Sequence, residues 1–186
     1  MPNLVSFEDL RDRALAGEAI CYPTDTVPAL AARIDRSQAI FQLKQRSPDK
    51  PLVLMGDSLD QLKPYVRGWE SAWTELIERG WPGALTLILP ASDRVPAEAI
   101  AGGNTVGLRV PDLDIAQQLL DQAGPLWATS VNVSGQAPLL TPEAIATVFP
   151  QLPILHVPFP ASAIPSTVMK WNAGQWETLR KGTFPA

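Results

Sequence analysis

The chain has 186 residues, 46% of them hydrophobic, with 15 Lys+Arg against 19 Asp+Glu for a net charge of −4. That length buries roughly 70% of the unfolded surface without staples, and 12 Gly with 19 Pro stay below the ~25–30% typical of low-complexity chains, so intrinsic disorder is excluded. One cysteine, Cys21, and one histidine, His156, exclude a disulfide framework, a cysteine zinc site and any multi-histidine metal cluster.

Ser6 is a good N-cap with Asp9 three positions on, and Phe7, Leu10 and Ala14 form one apolar helical face that Gly17 stops. Ala19 to Tyr22 reads as a short buried strand ended by Pro23. A helix follows from Ser37 to about Arg46, with Ile40, Phe41 and Leu43 inward, because Pro48 biases Ser47 away from helical geometry. Leu52 to Met55 has the continuous apolar pattern of a strand covered on both faces. Trp69, Trp73, Leu76 and Ile77 repeat at helical spacing before Gly80. Leu85 to Leu89 is a buried strand, and Asn104 closes a turn before the strand Val106 to Val110. Asp112 to Gln122 reads as a helix with Ile115, Leu119 and Leu120 inward, and Leu126 to Thr129 as a strand. Thr141-Pro142 starts a helix with proline at N1. Ile154 to Val157 is strand-like, Pro158 to Pro165 is a loop, and Val168 to Trp171 pairs with Gln175 to Leu179 around Asn172-Ala173-Gly174 as a hairpin. The class is α/β with a mixed sheet.

No charge block or linker marks a boundary, so a single domain over residues 1–186 is expected. The N-terminus lacks the apolar core of a signal peptide, and nowhere do ~18 apolar residues run together, so the expectation is a cytoplasmic protein with no membrane partner. A polyanion would need a local basic patch, because the overall field repels it.

The glycine-rich phosphate loops and the GxSxG elbow are absent, so phosphate binding would fall to cations and hydroxyls. Three polar clusters lie where expected elements end. Tyr22-Pro23-Thr24-Asp25-Thr26 puts two hydroxyls around a carboxylate, either lining a pocket at the sheet edge or capping a turn. Lys44 and Arg46, followed by Lys50, either share a target past the helix end or meet the macrodipole. Ser130-Val131-Asn132-Val133-Ser134 sends Ser130, Asn132 and Ser134 to one side of an extended chain, as a ligand rail or as an exposed edge. Cys21 reads as a small core residue and His156 as structural. The tryptophans follow core periodicity rather than forming base-stacking platforms.

In this order the clusters resemble the YrdC family of threonylcarbamoyl-adenylate synthases, from about Ala19 to Gly182. The family's YPTDTVYGLG is here YPTDTVPALA, and its KxRPxxKPL is KQRSPDKPL, with Ser47 in place of proline. WPGPLTLIL is WPGALTLIL, VGLRVP is intact from Val106 to Pro111, SANxSG is SVNVSG, and PSTIVD is PSTVMK from Pro165 to Lys170. The resemblance implies a twisted open mixed sheet with flanking helices and a concave, positively lined cavity, without the extra C-terminal domain of longer relatives. It implies that L-threonine, bicarbonate and ATP give threonylcarbamoyl-adenylate and pyrophosphate, for threonylcarbamoyl-adenosine modification of tRNA by separate partner proteins.

By the same resemblance Lys44 and Arg46 are the catalytic pair holding triphosphate and carbamate. Arg109 clamps the threonine carboxylate, a task suited to its planar fork, and Thr24 and Thr26 line the threonine pocket. Ser130 and Asn132 bond nucleotide and carbamate, and Ser134 and Ser166 reach phosphate or ribose. Mg²⁺ rides on the ATP phosphates, the sequence offering no metal cage. Three departures stand out: Pro28 replaces the aromatic that would wall the threonine pocket, Ala29 and Ala31 replace two glycines, and Lys170 replaces an acid. They leave an alternative, a divergent paralogue that binds nucleotide or double-stranded RNA without catalysis.

Overall fold

The structure, a computed structural model, describes residues 3–44, 49–160 and 163–185. Its centre is a ten-stranded mixed sheet. In chain order the strands are β1 (Leu4–Val5), β2 (Ile20–Tyr22), β3 (Ala29–Arg33), β4 (Val53–Met55), β5 (Leu85–Pro90), β6 (Thr105–Arg109), β7 (Leu126–Ser130), β8 (Ile154–Leu155), β9 (Thr167–Asn172) and β10 (Gln175–Arg180). Their order across the sheet is β1-β8-β2-β3-β7-β4-β6-β5-β9-β10. Four neighbouring pairs run parallel, β1/β8, β2/β8, β4/β6 and β5/β9. The other five are antiparallel.

The helices are α1 (Phe7–Ala16), α2 (Ser37–Lys44), α3 (Leu59–Leu62), α4 (Thr74–Gly80), α5 (Asp114–Ala123) and α6 (Pro142–Val148). Their ends follow local chemistry. Ser6 accepts from the amide of Asp9 and Gly17 closes α1 at φ 90°, while Thr141 accepts from the amide of Ala144 ahead of Pro142. The left-handed closure at Gly17 is one that glycine adopts without a side-chain penalty.

Alternation along the strands divides the core into two layers. Leu10 and Ala14 of α1 with Ala116, Leu119 and Leu120 of α5 pack on Ile20, Tyr22, Ala29, Ala31, Met55, Leu126 and Ala128. The opposite layer joins Leu30, Leu54, Leu85, Leu87, Leu108 and Trp127 to Ile40, Phe41, Leu76, Ile77 and Ile145. The fold is therefore a twisted open sheet between helical layers. No helix among the described residues is long and apolar enough to cross a membrane.

The structure corrects the sequence reading in several places. At Ala29 and Ala31, where two glycines are replaced, either the backbone needs no angles barred to alanine or the loop takes a new shape. The first holds, since residues 29–33 form β3, an unexpected strand paired with β2 and β7 in the middle of the sheet. Extended backbone suits alanine as well as glycine, so the two glycine replacements need no compensation there. Strands β1 and β3 and the short α3 were not expected. Trp69 precedes a 3₁₀ turn, Ser71–Trp73, that leads into α4, so only Trp73 joins the helical face. On α2, Leu43 is half-buried and Lys44 is buried instead, at 2% exposure. On α5, Ala116 takes the inward place expected for half-buried Ile115. His156 is exposed, and its backbone amide donates to Val5 O. The expected end of α2 at Arg46 lies outside the described residues.

Candidate active site

A cavity of about 310 Å³ opens on the α1/α5 face of the sheet, where Ala29, Met55 and Ala128 pass from the core into its wall. Its polar lining comes from Thr26, Thr86, Arg109, Thr129, Ser130, Ser166 and Arg180. Pro28, Pro51, Pro138 and Pro165 supply much of the apolar wall. Two guanidinium groups thus line one open cavity, Arg109 buried and Arg180 exposed, and the elements that present them fix each differently.

Arg109 ends β6. Its Nε donates to Gly83 O (3.0 Å), its Nη1 to Thr26 Oγ1 (2.7 Å) and its Nη2 to Asp25 Oδ1 (2.6 Å). The Arg109 and Asp25 side chains are 4% and 15% exposed. Burial lowers the Arg109 pKa from the usual guanidinium range, while the Asp25 charge pulls it back up. Thr26 is held in turn by Thr24, whose Oγ1 accepts from the Thr26 amide (3.2 Å) and donates to Val27 O (2.8 Å). Thr24 therefore caps the turn and is absent from the cavity lining, whereas Thr26 lines it. The turn-capping role thus belongs to Thr24, while Thr26 faces a cavity over the interior strands rather than at the sheet edge.

At the end of β7 the expected rail does not form. The strand stops at Ser130 and the chain turns, so Ser130, Asn132 and Ser134 do not share an extended face. Asn132 instead closes a knot. Its Oδ1 accepts from Lys44 Nζ (2.9 Å) and Ser130 Oγ (2.7 Å), and its Nδ2 donates to Val133 O (2.9 Å) and Gln136 O (2.7 Å). Lys44 Nζ also donates to Ser130 O and Thr129 Oγ1. Lys44 is not itself in the lining, but it holds Thr129 and Ser130, which are. Ser134 is outside the lining and Arg46 is outside the described residues. Lys50 is exposed beside Pro51, a lining residue.

The third wall is the one the sequence reading covered least. Ser166 is buried, with its Oγ 2.8 Å from Thr86 Oγ1, and Arg180 donates from Nη2 to Ser166 Oγ (3.1 Å) and from Nε to Ser166 O (3.0 Å). Partial desolvation lowers the pKa of Arg180 from the usual guanidinium range. Ser166 was singled out in the sequence, but Thr86, Asp25's pairing and Arg180 were not. The signal for Arg180 was partial: the Ala173-Gly174 turn sets the pairing from Gln175 with Asn172 to Thr178 with Met169, and a register shift between Thr178 and Arg180 then places Arg180 opposite Val168 and beside Ser166. Gly182 follows with no room for a side chain, since a Cβ there would stand 2.1 Å from Pro165 O.

These features match a known family. The family model described as "Telomere recombination", Sua5/YciO/YrdC, covers residues 13–182. The chain belongs to the Sua5/YciO/YrdC family.

Among relatives in that family, the threonylcarbamoyl-AMP synthase of Hydrogenovibrio crunogenus is 34% identical over 171 residues, 88% of this chain and 91% of the relative. The Sua5 of Pyrococcus abyssi, solved with L-threonine, superposes at a TM-score of 0.88 with 30% identity over 97% of this chain. The chain spans 56% of the length of that Sua5 chain. YciO of Escherichia coli gives a TM-score of 0.83 at 26% identity, covering 98% of this chain and 93% of its own. The Sua5/YciO/YrdC sheet with its flanking helices is therefore the fold expected from the sequence.

Proposed function

We propose that this chain is a threonylcarbamoyl-AMP synthase, a transferase that joins L-threonine, bicarbonate and ATP into threonylcarbamoyl-adenylate and releases pyrophosphate. The observation that carries the reading is one cavity lined by two guanidinium groups, Arg109 and Arg180, and by the hydroxyls of Thr26, Thr86, Thr129, Ser130 and Ser166. The names of its relatives support the same reading.

The reaction brings anions together. The threonine amine and bicarbonate give a carbamate and water, and a carbamate oxygen attacks the α-phosphate of ATP. The P–O bond to pyrophosphate breaks as the new P–O bond forms. Positive charge and fixed hydroxyl donors are needed where negative charge gathers. Arg109 has two of its five N–H donors left beyond the three bonds described, enough to take a carboxylate. Thr26, already on Arg109, lies beside that carboxylate. Arg180 and Ser166 face the opposite wall, suited to phosphate oxygens. Ser130, held by the Lys44–Asn132 knot at the end of β7, presents a hydroxyl to the same cavity. Lys44 then acts on the reaction through Ser130 and Asn132 as well as by its charge, and Arg46 belongs to the proposed triphosphate contacts. Thr24 supports the threonine end through Thr26.

Mg²⁺ fits as a rider on the nucleotide: among the described residues no three His, Cys, Asp or Glu side chains gather where they could hold a metal. When bound it would neutralise phosphate charge. Transfer of the threonylcarbamoyl group to tRNA by separate proteins completes the proposal.

The test is mass spectrometry of the purified protein with ATP, Mg²⁺, bicarbonate and L-threonine, each omitted in turn. A threonylcarbamoyl-adenylate peak that needs every substrate is expected. Bound ATP with no such product would overturn the reading and favour the nucleotide- or RNA-binding alternative.

A further inference from the structure

We infer that Asp25 is a positioning residue, a built-in counter-ion for Arg109 that makes this end of the cavity select a zwitterionic amino acid over a plain anion. The inference rests on the reading that Arg109 receives the acceptor's carboxylate.

The Asp25–Arg109 pair stands apart from every other ion pair among the described residues. Its side chains are 4% and 15% exposed, whereas both members of each other pair are at least 30% exposed. It also links three segments: the turn after β2, the approach to β5 at Gly83, and the end of β6. A surface pair is screened by water, but one this buried is screened much less and acts more strongly on whatever enters beside it. Asp25 Oδ1 is used by Arg109, and Oδ2 has no hydrogen-bond partner among the described residues.

The second guanidinium supplies the contrast. Arg180 makes no ion pair among the described residues, and its two bonds go to Ser166. The cavity therefore carries an uncompensated positive charge at one wall and a neutral pair at the other. A phosphate or pyrophosphate meets a net attraction at Arg180, but at Arg109 it also meets the Asp25 carboxylate. A zwitterion brings its own ammonium, which offsets Asp25 while its carboxylate takes the remaining Arg109 donors. The two ends sort polyphosphate and amino acid before any chemistry occurs. Asp25 does this through Arg109, since it is not itself among the lining residues.

The test compares L-threonine with 3-hydroxybutyrate, which keeps the carboxylate and hydroxyl and lacks the amine. In the parent protein 3-hydroxybutyrate should compete with threonine at least tenfold more weakly than threonine binds. In Asp25→Asn, which keeps an acceptor for Arg109 and loses the charge, that discrimination should shrink at least tenfold. A role in folding alone would lower the amount of active protein and leave the ratio where it was. An unchanged ratio in a folded Asp25→Asn protein overturns the inference. So does tight competition by 3-hydroxybutyrate in the parent protein, an arm that stands even if the variant does not fold. Failure of the parent protein to make any threonine-dependent adenylate overturns the functional reading and this inference together; product with an unchanged ratio overturns this inference alone.

Discussion

Two buried cations stand at the same cavity, Arg109 in its lining and Lys44 behind it, and the described residues around them differ in kind. Arg109 has a carboxylate 2.6 Å away, while Lys44 donates to a carbonyl, a hydroxyl and an amide oxygen, all neutral. A charge held by a carboxylate is coupled to one side chain, and losing that partner leaves the charge stranded. A charge held by neutral dipoles is spread over several groups and organises them in return. The Arg109 end is thus a receptor whose charge balance rests on one carboxylate while Thr26 and Gly83 help fix its place, and the Lys44 end is a scaffold for the turn that carries Ser130.

Removing the carboxylate should break this contrast most sharply. Asp25→Ala strands a buried guanidinium, and the stability loss should be about 3–5 kcal/mol in urea unfolding, the range for splitting a buried pair. A loss below 1 kcal/mol would mean that Thr26 and Gly83 alone satisfy Arg109. Lys44→Met should cost less, about 1–3 kcal/mol, because it leaves neutral acceptors without a donor. It should also abolish pyrophosphate release. Full turnover in a folded Lys44→Met protein would remove the knot from the mechanism.

Alkaline pH sharpens the Arg109 side from beneath. Burial raises the Cys21 thiol and the Tyr22 phenol above their ordinary ranges, and the Arg109 charge pulls Tyr22 part of the way back. Both groups are kept neutral by folding. The stability they contribute is complete below their unfolded values, about 8.5 and 10, and is lost as pH rises past those values. Unfolding free energy should therefore fall from about pH 8.5 upward, by up to about 1.4 kcal/mol per pH unit for each group. Cys21→Ala should flatten the first part of that fall in urea titrations, and Tyr22→Phe the later part. The smallest effect provides the baseline: Ser6→Ala, far from either cation, should cost about 1 kcal/mol through the lost cap of α1, with adenylate formation unchanged by mass spectrometry.

Much of the fold was legible because its cues are local. Ser6, Gly17, Pro142 and the Ala173-Gly174 turn act within a few residues, and strands such as Leu85–Pro90 announce themselves as apolar runs. Strand β3 was missed because Ala29-Leu30-Ala31-Ala32 is made of residues that read as helix or loop in isolation; only its pairing with β2 and β7 makes it a strand. The candidate site divides the same way. Thr26 and Arg109 were named from the sequence, but their contact spans 83 positions, and the burial of Lys44 depends on Asn132, 88 positions away. Periodicity carries no information over such distances. The rail of alternating polar residues failed for a related reason: alternation has meaning only while the chain stays extended, and β7 ends at Ser130.

The hairpin that delivers Arg180 carries a further property in its indoles. Trp69, Trp73, Trp171 and Trp176 form an edge-to-face chain with successive ring centres 5.5, 6.2 and 5.0 Å apart, and none of the six tryptophans lines the cavity. Chromophores that close exchange excitation and give the chain a circular dichroism signature of its own in the near ultraviolet. That signal reports whether β9 and β10 are docked on the segment around Trp69 and Trp73, and it is blind to occupancy of the cavity. The molecule carries an optical gauge of its own assembly, separate from its chemistry.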